Sequence, residues 1–222
     1  MIKITLPDGS VKSFEKDSTP MDVAKSISEG LARNVISASF NGTTVETSTK
    51  LTTDGSLVLY TWTNDEGKKA FWHSSAHVLA QAIEELYPNS KLTIGPAIDN
   101  GFYYDVDFGN ETITDKDFKN IETKMLEIAR GKHEFAMRSV TKADALSLYK
   151  DNEYKTELIE NLEDGTITFC DHSTFTDLCR GGHIPNTGII KAVKILSVAG
   201  AYWRGDENKP QLTRVYGTSF PK

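Results

Sequence analysis

The first 62 residues restrict the possible folds more than any other stretch, because turn signals and one helix signal are packed closely there. Asp8-Gly9 separates IKITL from VKSFE, two segments in which apolar residues recur at every second position, so residues 1–16 are expected to form a β-hairpin. In STPMDVAKSI, Thr19 is placed to cap a helix, Pro20 suits its first position, and Asp22 stands where a capping box puts its acid. Gly30 is expected to end that helix. The segments VISASF, TTVE and SLVLYTW then read as short strands separated by Asn41-Gly42 and Asp54-Gly55. Hairpin, helix and further strands in this order predict a β-grasp, or ubiquitin-like, module.

After the polar joint TNDEGKK the period changes. Ala76, Leu79, Ala80, Ile83 and Leu86 fall at helical spacing and predict a helix over 66–86, stopped by Tyr87-Pro88-Asn89. Strands at 91–97 and 101–107 are expected to form a hairpin around Asn100-Gly101, followed by a helix over 114–131 that starts at Thr114 and ends at Gly131. A strand at 134–140, helical segments in 142–161, and strands near 166–170, 189–198 and 211–216 complete an α+β domain. The expected division is therefore a domain at 1–62 and a second at 63–222, with no internal repeat.

A chain of 222 residues with 38% apolar and 25% charged residues has the makings of a packed core and is too rich in core formers to be disordered. No apolar run approaches the roughly 18 residues of a membrane span, and the start MIKITLPDGS lacks the pattern of a signal peptide, so a cytoplasmic location is expected. Two cysteines, Cys170 and Cys179, are too few for a disulfide scaffold. The net charge of -6 argues against a nucleic-acid partner only as a mean. Residues 1–62 carry a net of -1, residues 63–178 a net of -10, and residues 179–222 a net of +5. Arg180, Lys191, Lys194, Arg204 and Arg214 belong to this last part, and together they describe a basic lip able to meet phosphate.

The stretch HSSAH sets His73 and His77 four apart on the expected helix, so both rings leave the same face about one turn apart. CRGGH sets Cys179 and His183 at the same spacing, with Gly181 and Gly182 free to form a tight turn between them. The four donors allow three chemistries. All four can close a tetrahedral Zn2+ site, three can hold a metal with an activated water, or the histidines can work without metal as a base and a polar pocket. Spacing alone leaves these alternatives open.

HSSAHVLAQA, GPAIDNGFYYD, DLCRGGHIPNTG and AYWRGDENKPQLTRVYGTSF, in that order behind a β-grasp start, resemble the editing domain of bacterial threonyl-tRNA synthetases preceded by a TGS domain. The HxxxH and CxxxH pairs are shared with alanyl-tRNA synthetase editing domains, whereas GFYYD and AYWRGD point to the threonyl family. Gly-Pro is usual in that family where this chain has Gly181-Gly182, a departure that suggests a more flexible loop. The resemblance implies an N-terminal piece without the class II catalytic domain or the anticodon-binding domain. ATP and the catalytic-domain zinc would belong to those missing parts. The implied activity is hydrolysis of serine wrongly esterified to threonine tRNA, so the implied partners are the acceptor end of that tRNA, the serine ester and the remaining synthetase domains.

The resemblance also implies roles for single residues. His73, His77, Lys155, Cys179 and His183 would be catalytic, Tyr104 (or its neighbour Tyr103), Asp177 and Arg180 would bind substrate, and Lys191, Lys194, Arg204 and Arg214 would face tRNA. His73 would position or deprotonate water, Lys155 would orient that water or stabilise the oxyanion, and Asp177 would receive the substrate's α-ammonium. Cys179 and His183 would sense the serine hydroxyl. Threonyl domains of this type are expected to work without metal, and the alanyl relatives hold Zn2+ with the same donors. Two competing expectations are a non-catalytic fragment that grips the acceptor stem and a zinc-dependent hydrolase of small esters.

Overall fold

A computed structural model describes residues 1–221, which separate into two compact units: Met1–Ser74 with Gly181–Pro185, and Ser75–Arg180 with the chain from Asn186 onward. In the first unit, β1 (Ile2–Thr5) and β2 (Val11–Phe14) form the expected antiparallel hairpin, with Ile2 opposite Phe14. Gly9 takes the left-handed φ of +83° that this turn requires. Helix α1 (Pro20–Ile27) begins with the full capping box. The Thr19 hydroxyl accepts the Asp22 N–H at 3.2 Å while the Asp22 carboxylate accepts the Thr19 N–H at 2.9 Å.

Gly30 does not end this helix. Ser28, extended at φ -166°, breaks it first, and its hydroxyl accepts the Leu31 N–H at 3.0 Å to start α2 (Glu29–Ala32), which contains Gly30. Strands β3 (Val35–Phe40), β4 (Thr43–Val45) and β5 (Gly55–Thr61) complete a sheet of order β2-β1-β5-β3-β4. The β1–β5 pair is parallel and its neighbours antiparallel. Ile2, Ile4, Val23, Ala38, Leu51 and Leu57 form the core between this sheet and α1, which is the β-grasp arrangement.

Helix α3 (Asp65–Leu86) is buried more completely than a one-sided apolar stripe would be. Ala76, Val78, Leu79, Ala80, Ala82 and Ile83 all have no exposed surface, and Ser74, Ser75, His77 and Gln81 are buried beside them. A helix stretch enclosed in this way holds polar side chains at a cost, so His77 lies in a protected setting while His73 stays partly exposed.

In the second unit, β6 (Lys91–Leu92) and β7 (Ala97–Ile98) replace the single strand expected over 91–97, because Pro96 has no N–H to give to a ladder. Both pair with β8 (Gly101–Asp107), and Asn100, at φ +63°, makes the expected turn. Helix α4 (Asp115–Arg130) is capped by Thr114 and Asp117; Gly131 follows it in right-handed conformation, and Lys132 takes the left-handed position, φ +53°. Next come β9 (Ala136–Ser139), α5 (Lys142–Leu148) and α6 (Glu153–Glu160). They are followed by β10 (Thr168–His172), β11 (Phe175–Leu178), β12 (Ala192–Tyr202) and β13 (Gln211–Phe220).

These strands make one sheet of order β11-β10-β9 and another of order β12-β13-β8-β6, with β7 on β8. Strand β11 has no counterpart in the sequence reading: the turn before it uses Ser173 at φ +52° and carries no glycine or proline. Its register sets Asp177 opposite Cys170 and so orients the acid inward, 3% exposed.

Candidate active site

In the second unit, four buried polar side chains from four elements meet at Asp177. Its Oδ1 receives the Lys155 Nζ at 2.5 Å, and its Oδ2 receives the Tyr104 hydroxyl at 2.7 Å and lies 3.3 Å from the His77 Nδ1. The Lys155 Nζ is also 3.3 Å from the Tyr104 hydroxyl. Asn152 caps α6 by accepting the Lys155 N–H at 3.0 Å, which fixes Lys155 in the first turn and turns it inward rather than onto a solvated face. All four groups are at most 3% exposed.

Burial alone would raise the Asp177 carboxyl, but the Lys155 ammonium and the His77 ring outweigh it and hold the acid well below the usual carboxylate range. For His77, burial works to lower the pKa, and Cys179 together with Asp177 overcomes that and raises it. Burial, reinforced by Asp177, keeps Tyr104 a protonated donor. The buried carboxylate is thus ionised, accepts two hydrogen bonds from Lys155 and Tyr104, and has the His77 ring as its third polar neighbour. Beside Lys155 and Asp177 a cleft of about 460 Å³ is lined by Glu84, Tyr149, Asn152 and Thr176.

In the first unit, the rings of His73 and His183 stack with centroids 4.9 Å apart at 28°. His183 has no exposed surface, whereas His73 is partly exposed. The Glu46 carboxylate accepts the Gly182 N–H at 2.9 Å and the His183 N–H at 3.0 Å, and its Oε1 is 2.9 Å from the His183 Nδ1. Gly181 and Gly182 stand at φ +96° and +89°, a left-handed pair that suits glycine and excludes proline. The loop that glycine content suggested to be flexible is therefore held through two of its N–H groups.

Of the four expected donors, His73 and His183 belong to the first unit and His77 and Cys179 to the second, and His77, Cys179 and His183 are buried. The donor chemistry fits zinc, and a carboxylate stands behind two of the imidazoles, Asp177 at His77 and Glu46 at His183, in the manner of metal-bound histidines. Histidines and a thiol of this kind can serve as metal ligands or as polar pocket groups without metal.

The remaining expected residues are either exposed or paired with acids. Arg180 is exposed. Of the basic lip, Lys194 pairs with Glu122 at 2.9 Å, Arg204 with Glu157 at 2.9 Å, and Arg214 makes a two-pronged pair with Asp105 at 2.7 and 2.8 Å. The Arg214 guanidinium also covers the Tyr103 ring at 3.9 Å. Lys191 is exposed. Acids from other elements thus neutralise most of the charge that a count along the chain assigns to the lip. Sequence reasoning passed over Glu46 entirely; it lies 137 residues from His183, and nothing in VETST marks it.

A family model described as the TGS domain matches residues 2–61, and one described as the threonyl and alanyl tRNA synthetase second additional domain matches residues 167–216. Over all 222 residues the chain is 78% identical to a threonine-tRNA ligase of Flavobacterium psychrophilum, covering 34% of that protein. It is similar along its full length to those of Cytophaga hutchinsonii, at 57% identity over 35% of the relative, and Porphyromonas gingivalis, at 54% over 34%. The chain spans about a third of the length of the curated relatives it matches. Over its whole length the chain is similar to the N-terminal region of threonine-tRNA ligases, with matches to a TGS domain and to the second additional domain of threonyl and alanyl tRNA synthetases.

Proposed function

We propose that this chain is the editing portion of a threonine-tRNA ligase and hydrolyses serine misattached to threonine tRNA, with 1–62 and 63–222 as its two modules. The observation that carries the reading is the buried Lys155–Asp177–Tyr104 network with the His77 ring beside it.

The physical need is plain. Serine differs from threonine by one methyl, worth about 1 to 3 kcal/mol in a binding pocket, so a synthetic site admits it too often. A second pocket too small for the extra methyl reverses the selection. The substrate is an activated ester on the terminal adenosine, and a positioned water with a base suffices to cleave it. His73, which is partly exposed, positions or deprotonates that water. Lys155 spends two donors on Asp177 and Tyr104 and keeps a third for the water or the oxyanion. Asp177 has acceptor sites left for the substrate's α-ammonium. Cys179 and His183 shape the pocket around the serine hydroxyl, and Tyr104 locks the acid in place. Arg180, Lys191, Lys194, Arg204 and Arg214 are the residues assigned to tRNA, and the ion pairs of the last three reduce what they offer to phosphate.

A metal is the second reading, favoured by the carboxylates behind His77 and His183. His73, His77, Cys179 and His183 are the residues that would hold Zn2+, whose role with four protein ligands would be structural. Stoichiometric zinc in the purified protein, with activity lost to a chelator and restored by zinc, would establish it. The editing reading is tested by deacylation of seryl-tRNA with His73→Ala and Lys155→Ala proteins. Each is expected to lose about 100-fold or more in rate, the usual scale for a general base or an oxyanion donor. Wild-type rates in both would refute the assignment.

A further inference from the structure

We propose that Glu46, in the β-grasp unit just after β4, is a positioning residue for the editing centre: it fixes the tautomer and orientation of His183 and holds the loop that carries it. The inference deepens the editing reading and, for its kinetic arm, rests on it.

Three contacts converge on one side chain. Glu46 Oε1 accepts the Gly182 N–H and lies 2.9 Å from the His183 Nδ1, and Oε2 accepts the His183 N–H at 3.0 Å. A carboxylate has no proton to give, so the Nδ1 at this distance is the N–H donor of the ring. In a neutral imidazole that leaves Nε2 as the acceptor. His183 is fully buried, and its ring stacks on His73 with centroids 4.9 Å apart, so Glu46 and His73 together fix its orientation. Glu46 is itself mostly buried, its side chain 12% exposed, which shields the contact from solvent and strengthens it relative to a surface pair.

The loop geometry supplies an independent part of the argument. Gly181 and Gly182 occupy left-handed conformations of φ +96° and +89°, which turn both the Gly182 and the His183 N–H groups to the same carboxylate. A proline at 182 could neither reach that φ nor donate an N–H. The clamp is thus coupled to the glycine pair of this chain. Glutamine at 46 would keep the shape and lose the function, because its NH2 group must face at least one of three donors.

Nitrogen-detected NMR of the histidine rings, in wild-type, Glu46→Gln, Glu46→Ala and Glu46→Asp proteins, tests the first half without any substrate. Wild type should show His183 protonated at Nδ1 and unprotonated at Nε2, and Glu46→Ala and Glu46→Gln should lose that pattern. A wild-type Nε2–H tautomer, or a spectrum unchanged in Glu46→Ala, overturns the proposal. Seryl-tRNA deacylation tests the second half: at least tenfold slower in Glu46→Ala and Glu46→Gln, with partial recovery in Glu46→Asp. A lost tautomer with an unchanged rate overturns the catalytic part. No deacylation by the wild-type protein would instead count against the editing reading, leaving the NMR result to stand by itself. A shared near-ultraviolet circular dichroism spectrum keeps misfolding from imitating the effect.

Discussion

Asp177 and Glu157 each gather three polar partners, and they differ in what those partners are worth. Asp177 takes Lys155, Tyr104 and His77 at a site 3% exposed. Glu157, on the same helix α6 as Lys155, takes the Trp203 Nε1, Arg204 and Lys209, all at 2.9 Å, with its side chain 33% exposed. Both carboxyl groups are held below their ordinary pKa, Glu157 at about 2 through Trp203, Arg204 and Lys209. Equal contact number does not mean equal consequence. Water can replace what Glu157 loses and cannot reach what Asp177 loses, so the buried carboxylate anchors a site while the exposed one tidies a surface.

Asp177→Asn should break the comparison most violently. It leaves the Lys155 ammonium buried without its counter-charge and is expected to cost about 3 to 5 kcal/mol in denaturant unfolding, together with deacylation. The double variant with Lys155→Met should lose clearly less than the sum of the two single losses, because the second substitution removes the stranded charge. Strict additivity would mean that the two groups act independently. Glu157→Gln should cost less than about 1 kcal/mol and leave deacylation intact.

Acid titration sharpens the contrast. Glu157 has its pKa lowered from 4.5 to about 2, so its share of stability is complete above pH 4.5 and disappears as pH falls through about 2. The stability difference between wild type and Glu157→Gln should therefore be flat at neutral pH and close over that window. A difference that grows on acidification contradicts the sign.

The contrast also explains what could be read from the sequence. The capping box of Thr19 and Asp22 was legible because its partners are three residues apart, and the two i,i+4 donor pairs were legible for a similar reason. The inward turn of Lys155 was not, since NEYKTELIE looks like an exposed helix face and the acid that draws it in sits on β11, a strand whose preceding turn lacks glycine and proline. The basic lip was legible only as a count: charge along the chain cannot see Glu122, Glu157 and Asp105 arriving from other elements. Glu46 lay beyond reach because its meaning depends on a loop 137 residues away. Local rules found the donors and the resemblance supplied Asp177, whereas Glu46 and the contacts of both carboxylates emerged only from tertiary structure.

The central claim is that this chain selects against one methyl group and cleaves an ester. The direct measurement is the rate at which this chain deacylates the serine and threonine esters of the same tRNA. The account predicts turnover of the serine ester at least about tenfold faster than the threonine ester, the discrimination a single methyl allows. Equal rates for the two esters, or no turnover of either with salt-dependent tRNA binding retained, would contradict it.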